Sequence, residues 1–297
     1  MSESQCLFDK TPFIKAIRCR ETIASVCGRE SDWVSAMMID RRSNALASNM
    51  TAFALHQVVR SKSAYTFSRT QGLAPCYADR PVIDPDQFIQ NHAQSMAPKH
   101  IRVLAHWNHE AKIESGAENI LGDNVTLSID TDLDSIEIPV LEASPENMLY
   151  YGAMLFHEGD RLQFNTDYYP IWKMELGRNY VNDFLMTDAG KGFYFEWHLD
   201  RPHWHQPLTD DACGFYLLAK NAGVSACGKI ILEITGFKIP LGSAVYTTPG
   251  AIHCDAALIG ENWIVGFTDS QKYSTALLRN NTGSMLRCLG ARDSAVR

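Results

Sequence analysis

The segment PHWHQP, residues 202–207, sets two histidines one residue apart between two prolines. A proline disfavours helical backbone in the residue before it, so Arg201 and Gln206 are held extended. In an extended strand alternate side chains share a face, so His203 and His205 point one way and Trp204 the other. The same period of two continues on both sides. Downstream come CGFYLLA, KIILEITGF, AVYTTP and WIVGF; upstream come HIRVLAHW, NVTLSIDT, SIEIPVLE, MLYYGAMLF, RLQFNTD, PIWKMEL and GFYFEWHL. These runs are short, rich in β-branched and aromatic residues, and separated by Gly, Pro, Asn and Asp. Such a series without long helices between predicts a sandwich or barrel.

The first third reads differently. SDWVSAMMIDRR has Ser31 as a helix cap, with Trp33, Val34, Met37 and Met38 on one face. SNMTAFALHQVVRS predicts a second helix, and DPDQFIQNHAQSM a third, with Asp84 as cap and Pro85 in its first turn. The expected organisation is a helical or mixed α/β region over residues 1–120, then a mainly β barrel over 121–297.

The chain has 297 residues and a net charge of −7, with 45% hydrophobic and 21% charged residues. It carries no basic run, which argues against nucleic-acid binding through phosphates. No apolar stretch reaches the roughly 20 residues of a membrane helix, and the opening MSESQCLFDKTPF has no apolar core of a secretory signal. The eight cysteines are scattered with no CxxC pair, which fits free thiols in a reducing cytoplasm rather than a zinc ribbon or disulfide framework. No GxGxxG, GxxxxGK[ST] or GxSxG motif is present.

Two imidazoles cannot close a coordination shell, so the remaining ligands are sought further along. Asp210 and Asp211 follow His205, and GSAVYTTPGAIHCD then places a Pro249-Gly250 turn just before His253. A Pro-Gly turn there can aim the histidine back into a barrel. Paired in this way, HWH with an acid a few residues on and a later G…PG..H resemble the two metal-binding motifs of the cupin superfamily. The resemblance spans roughly residues 190–270. It implies a double-stranded β-helix, or jelly-roll barrel, holding one divalent metal inside. Carried over by position, it implies His203, His205 and His253 as ligands, with Asp210 at the spacing of the acid. The family acid is usually Glu, and the spacing from Gly242 to Pro249 is one residue longer than the motif's usual one.

A second register is legible. His198-Leu199-Asp200 with a distant His253 matches the His-x-Asp…His triad of 2-oxoglutarate-dependent iron oxygenases, with Arg279 as partner of the cosubstrate carboxylate. Either register leaves open positions on the metal. The expected function is therefore an Fe(II)-dependent oxygenase acting on a small polar molecule, with Phe193, Phe195, Trp197, Trp204 and Phe215 as water-excluding walls. Other readings are a metal-dependent sugar isomerase or epimerase, a non-catalytic ligand-binding cupin, and histidines that only pack. Glu233 and Tyr246 are the candidate acid–base residues, although the alternation in KIILEITGF turns Glu233 toward solvent. His106 and His109 read as a solvated turn. A homodimer through sheet edges is the expected association.

Overall fold

The computed structural model describes residues 53–92, 95–108, 126–166, 169–176, 193–198, 201–266 and 273–291. Over these the chain is mainly β. The helix expected from Ser31 lies outside the described residues. None of the described helices is long and apolar enough to cross a membrane.

One sheet runs β1 (Phe53–Val59), β10 (Tyr169–Leu176), β18 (Leu258–Gly266), β12 (His203–Pro207), β16 (Ser243–Thr247) and β8 (Ala153–His157), all neighbours antiparallel. The two-residue β13 (Cys213–Gly214) joins the far end of β18. A second set of strands closes on itself. It runs β14 (Tyr216–Val224), β17 (Ile252–Cys254), β11 (Tyr194–His198), β19 (Tyr273–Arg279), β5 (Thr126–Ile129), β4 (Ile101–Asn108) and β15 (Ile230–Lys238), which pairs back onto β14. This ring is a mixed barrel, because β19 and β5 are parallel while the other pairs are antiparallel.

Three apolar clusters follow from the period of two. Inside the ring, every strand contributes: Leu217 and Ala219, Ile252 and Cys254, Phe195, Ala276 and Leu278, Leu127 and Ile129, Ala105, and Ile230, Leu232 and Ile234. Between ring and sheet, Tyr216, Leu218 and Phe237 meet Leu155, Trp172, Val245 and Val265. Behind the sheet, Trp204, Tyr246 and Ile264 pack on Tyr65, Phe67, Leu73, Leu162 and Phe164. The last five belong to, or directly follow, a small sheet of β2 (Ala64–Ser68), β3 (Gly72–Cys76) and β9 (Arg161–Gln163). A parallel pair, β6 (Ser135–Ile138) with β20 (Arg287–Gly290), adds Ile138 and Cys288 to the ring core, and β7 (Val140–Glu142) runs parallel to β15.

Two short helices have readable starts. In α1 (Pro85–Asn91) the Asp84 carboxylate accepts from the Gln87 amide, as the sequence predicts. In α2 (Pro145–Leu149) Ser144 and Asn147 form a reciprocal capping box. That helix takes the front of MLYYGAMLF, read above as one strand; Gly152, at φ 80°, then turns the chain into β8. FALHQVV is likewise a strand and not a helix: its backbone is committed by pairing with β10. Strands on both sides of residue 120 share these sheets, since β1 joins β10 and β4 joins β15.

Gly266, opposite Trp204 in β18, marks a close approach: a Cβ there would meet Trp204 Cβ at 2.9 Å and the Tyr169 ring at 2.7 Å. The Tyr169 hydroxyl bonds the Pro202 carbonyl at 2.7 Å, which anchors the start of the HWH strand. Gly266→Ala is therefore expected to cost about 1–3 kcal/mol through overpacking, seen as a lowered urea midpoint at unchanged m-value.

Candidate metal centre

The HWH strand behaves as its spacing predicts. Trp204 enters the cluster behind the sheet, while His203 and His205 turn toward the ring. On the facing wall, β17 lies between β11 and β14, and His253 is paired with Glu196 on one side and Leu218 on the other. Cys254 and Ile252, its neighbours, point into the ring. The three histidines thus converge between sheet and ring, outside the closed ring itself, whose interior is apolar. Ring centroids are 4.5 Å apart for His203 and His253 and 5.3 Å for His203 and His205.

The acid of this group is Glu196, not Asp210. One donor atom each from Glu196, His203 and His253 lies within 4.8 Å of the others, and all three residues are buried. Donors bound at about 2.1 Å to one ion sit about 3 Å apart when cis and about 4.2 Å when trans, so a group within 4.8 Å would close on one ion by drawing in by about 0.6 Å at most. Asp210 is exposed, in the turn between β12 and β13. Asp210→Asn is accordingly expected to leave metal loading within about twofold of the parent, read by metal titration.

His253 Nδ1 donates to the Ala251 carbonyl at 2.9 Å. That bond fixes the tautomer and leaves a lone pair on Nε2. Nε2 faces Glu196 Oε1 at 3.5 Å. Burial, only partly opposed by the Ala251 bond, pushes the His253 imidazole down to about 4, so the ring is neutral near pH 7. His205 is fully buried, its Nε2 lies 3.6 Å from Asp255 Oδ2, and the other Asp255 oxygen accepts from the Tyr194 hydroxyl. Tyr216 packs against His205 with centroids 4.6 Å apart, and its hydroxyl meets Thr247 Oγ1 at 3.1 Å, bridging ring and sheet. Burial raises the Tyr216 phenol well above its ordinary value, so it stays protonated.

The remaining sequence candidates lie elsewhere. Tyr246 points away from the centre, behind the sheet, and its hydroxyl donates to Asp86. Its acid–base assignment is therefore corrected: alternation along β16 gives the inner face to Val245 and Thr247. Glu233 is not solvent-facing; its side chain is 3% exposed. Arg102 Nε donates to it at 3.0 Å, the Tyr150 hydroxyl also donates, and His100 Nε2 lies 3.4 Å away. Burial raises its carboxyl, but the Tyr150 and Arg102 bonds outweigh that and hold it below the usual carboxylate range. It sits beyond β14 and two residues along from Thr235, the residue level with His253 through Leu218. Arg279 lies four residues along β19 from Thr275, the partner of Glu196, which is about 13 Å of strand; its guanidinium donates to the Gly283 carbonyl in the following turn. The structure does not bring it to the cluster. In the His-x-Asp register, Asp200 and the His198 side chain lie outside the described residues, as does His109. His106 is exposed on β4.

Glu196 had a sequence signal. In FYFEWH the residues 194, 196 and 198 share one face, so a carboxylate alternates with a tyrosine and a histidine opposite an aromatic row. Polar groups repeated at strand period within so apolar a run mark a buried polar face. No family model, no curated protein and no solved structure matches this chain.

Proposed function

We propose that the chain is a metal-dependent oxygenase of cupin type, with Fe(II) held by Glu196, His203 and His253 and a small polar molecule as substrate. The observation that carries this reading is the pair of acceptors, His253 Nε2 and Glu196 Oε1, facing each other at 3.5 Å in a buried space. A proton shared between them would relieve their repulsion, and so would a metal ion; the His203 donor converging on the same two atoms is what favours the metal. The donor set also fits: two imidazoles and one carboxylate are the ligands of non-heme iron oxygenases. The jelly-roll reading draws support from the HxH strand and the lone histidine standing on facing walls.

When bound, such an ion supplies Lewis acidity and one-electron chemistry at coordination positions the protein leaves open. The chain's own residues do the rest. His253 keeps a fixed tautomer through Ala251. Tyr216 and Thr247 offer hydroxyls beside the histidines. Val245 and Val265, on the strands either side of His205, exclude water. An isomerase reading would need a free acid–base carboxylate, and Glu233 is committed to Arg102 and Tyr150.

The test is oxygen uptake by iron-loaded protein offered small chelating molecules: diols, catechols, thiols and dicarbonyls. The reading expects one class to trigger uptake, and Glu196→Ala to abolish it. Turnover of a sugar by zinc-loaded protein without oxygen uptake would replace it with the isomerase.

A further inference from the structure

Tyr216 on β14 and Thr247 on β16 reach each other across the space between ring and sheet, where their hydroxyl oxygens lie 3.1 Å apart. The pair stands among the three histidines. Thr247 is directly opposite His203 in the ladder of β12 with β16, and the Tyr216 ring lies 4.6 Å from the His205 ring and 5.9 Å from the His253 ring, centroid to centroid. Neither residue is more than 1% exposed. Each hydroxyl brings one proton. Burial keeps the Tyr216 phenol protonated, and threonine does not titrate, so both protons are present at any ordinary pH. Whichever hydroxyl donates to the other, one O–H is left over. Among the described residues neither side chain makes a second hydrogen bond that could take it. A buried donor in that position is rare unless a water or ligand accepts from it.

We propose that Tyr216 and Thr247 together donate a hydrogen bond to an anionic oxygen of the molecule bound at the Glu196, His203 and His253 centre, and so select substrates that reach it through oxygen: carboxylates, catecholates or enolised dicarbonyls. This rests on the metal reading and narrows its substrate class. An oxygen that binds a cation carries negative charge, and a hydrogen bond to a charged acceptor is about twice as strong as one to a neutral acceptor. The hydroxyl that accepts from its neighbour becomes the better donor for it. A metal-bound amine has no lone pair left to take the proton, and sulfur accepts it weakly.

The test uses the intact chain and two substitutions that keep side-chain shape, Tyr216→Phe and Thr247→Val, singly and together. Acetohydroxamate, an anionic oxygen chelator, and ethanethiol, a sulfur ligand, are titrated into zinc-loaded protein by calorimetry. Either hydroxyl can donate alone, so each single variant is expected to lose less than about tenfold in acetohydroxamate affinity, and the double variant about 10–150-fold, the range for a hydrogen bond to a charged group. Ethanethiol affinity and zinc loading are expected to stay within about threefold throughout, since sulfur accepts weakly and neither hydroxyl is a ligand. In metal-free protein each single variant keeps one buried O–H without an acceptor and the double variant keeps none. Urea unfolding is therefore expected to show the double variant at least as stable as the weaker single. A double variant that holds acetohydroxamate as tightly as the parent would overturn the proposal. So would one less stable than both singles, because each hydroxyl would then have an acceptor of its own. If the parent took up no zinc, the metal reading would fall and the proposal with it; zinc uptake with unchanged acetohydroxamate affinity in the double variant sinks the proposal alone.

Discussion

Glu196→Ala and His203→Ala proteins are expected to come off a column folded and nearly free of divalent metal. A protein metal site is worth about 10–16 kcal/mol over its ligands, so one of three or four accounts for about 3 kcal/mol or more, a factor of about 100–1,000 in affinity. Glu196 is the more informative position. It sits on the ring wall, directly across the ladder from His253, and no spacing rule applied to PHWHQP reaches it. Removing it also takes away the carboxylate that faces His253 Nε2. The metal-free Glu196→Ala protein is therefore expected to be no less stable than the metal-free parent, while the metal-loaded parent is more stable than either. Thermal unfolding with and without excess zinc reads both comparisons. Equal zinc stabilisation in parent and variant would remove Glu196 from the centre.

Trp204→Ala is expected to cost about 3–5 kcal/mol, the range for deleting a large buried aromatic. Trp204 has no exposed surface and meets Phe67, Phe156 and Phe164 at ring centroid distances of 5.7, 5.7 and 6.2 Å. It holds the small sheet to the main one. Because it lies between His203 and His205 on one strand, its loss also loosens the backbone that aims both. Metal affinity should therefore fall with stability in Trp204→Ala, whereas Trp204→Phe, which keeps the cluster filled, should retain most of both. Chemical denaturation and a zinc titration on the same preparations test this; wild-type affinity in a strongly destabilised Trp204→Ala protein would show that the centre is positioned without this support.

Much of this was legible because it is local. Proline before and after HWHQ, period two through the strand, and the Pro-Gly turn ahead of His253 each act over a few residues, and His203, His205 and His253 do meet. What stayed hidden depends on partners far along the chain. Glu233 is flanked by apolar residues on its own strand, and Arg102 from β4, Tyr150 at the C-cap of α2 and the nearby His100 make its burial tolerable. Both faces of β15 are covered, one by the ring core and one by the space under the sheet, so alternation could not say which face was wet. FALHQVV has apolar spacing compatible with helix or strand over seven residues, and pairing with β10 decides it. The cap at Ser144 was present in the sequence as Ser-Pro-Glu-Asn, but the apolar run after it masked so short a helix. Asp210 shows the opposite failure: a spacing taken from a motif, on a residue whose turn faces water.

The central claim is that Glu196, His203 and His253 hold one metal ion between sheet and ring. The most direct measurement is elemental analysis of anaerobically purified protein beside its Glu196→Ala variant. The account predicts close to one divalent transition metal per chain in the parent, iron foremost, and a small fraction of that in the variant. A parent that carries no metal and takes none up from excess ferrous or zinc ion would contradict it.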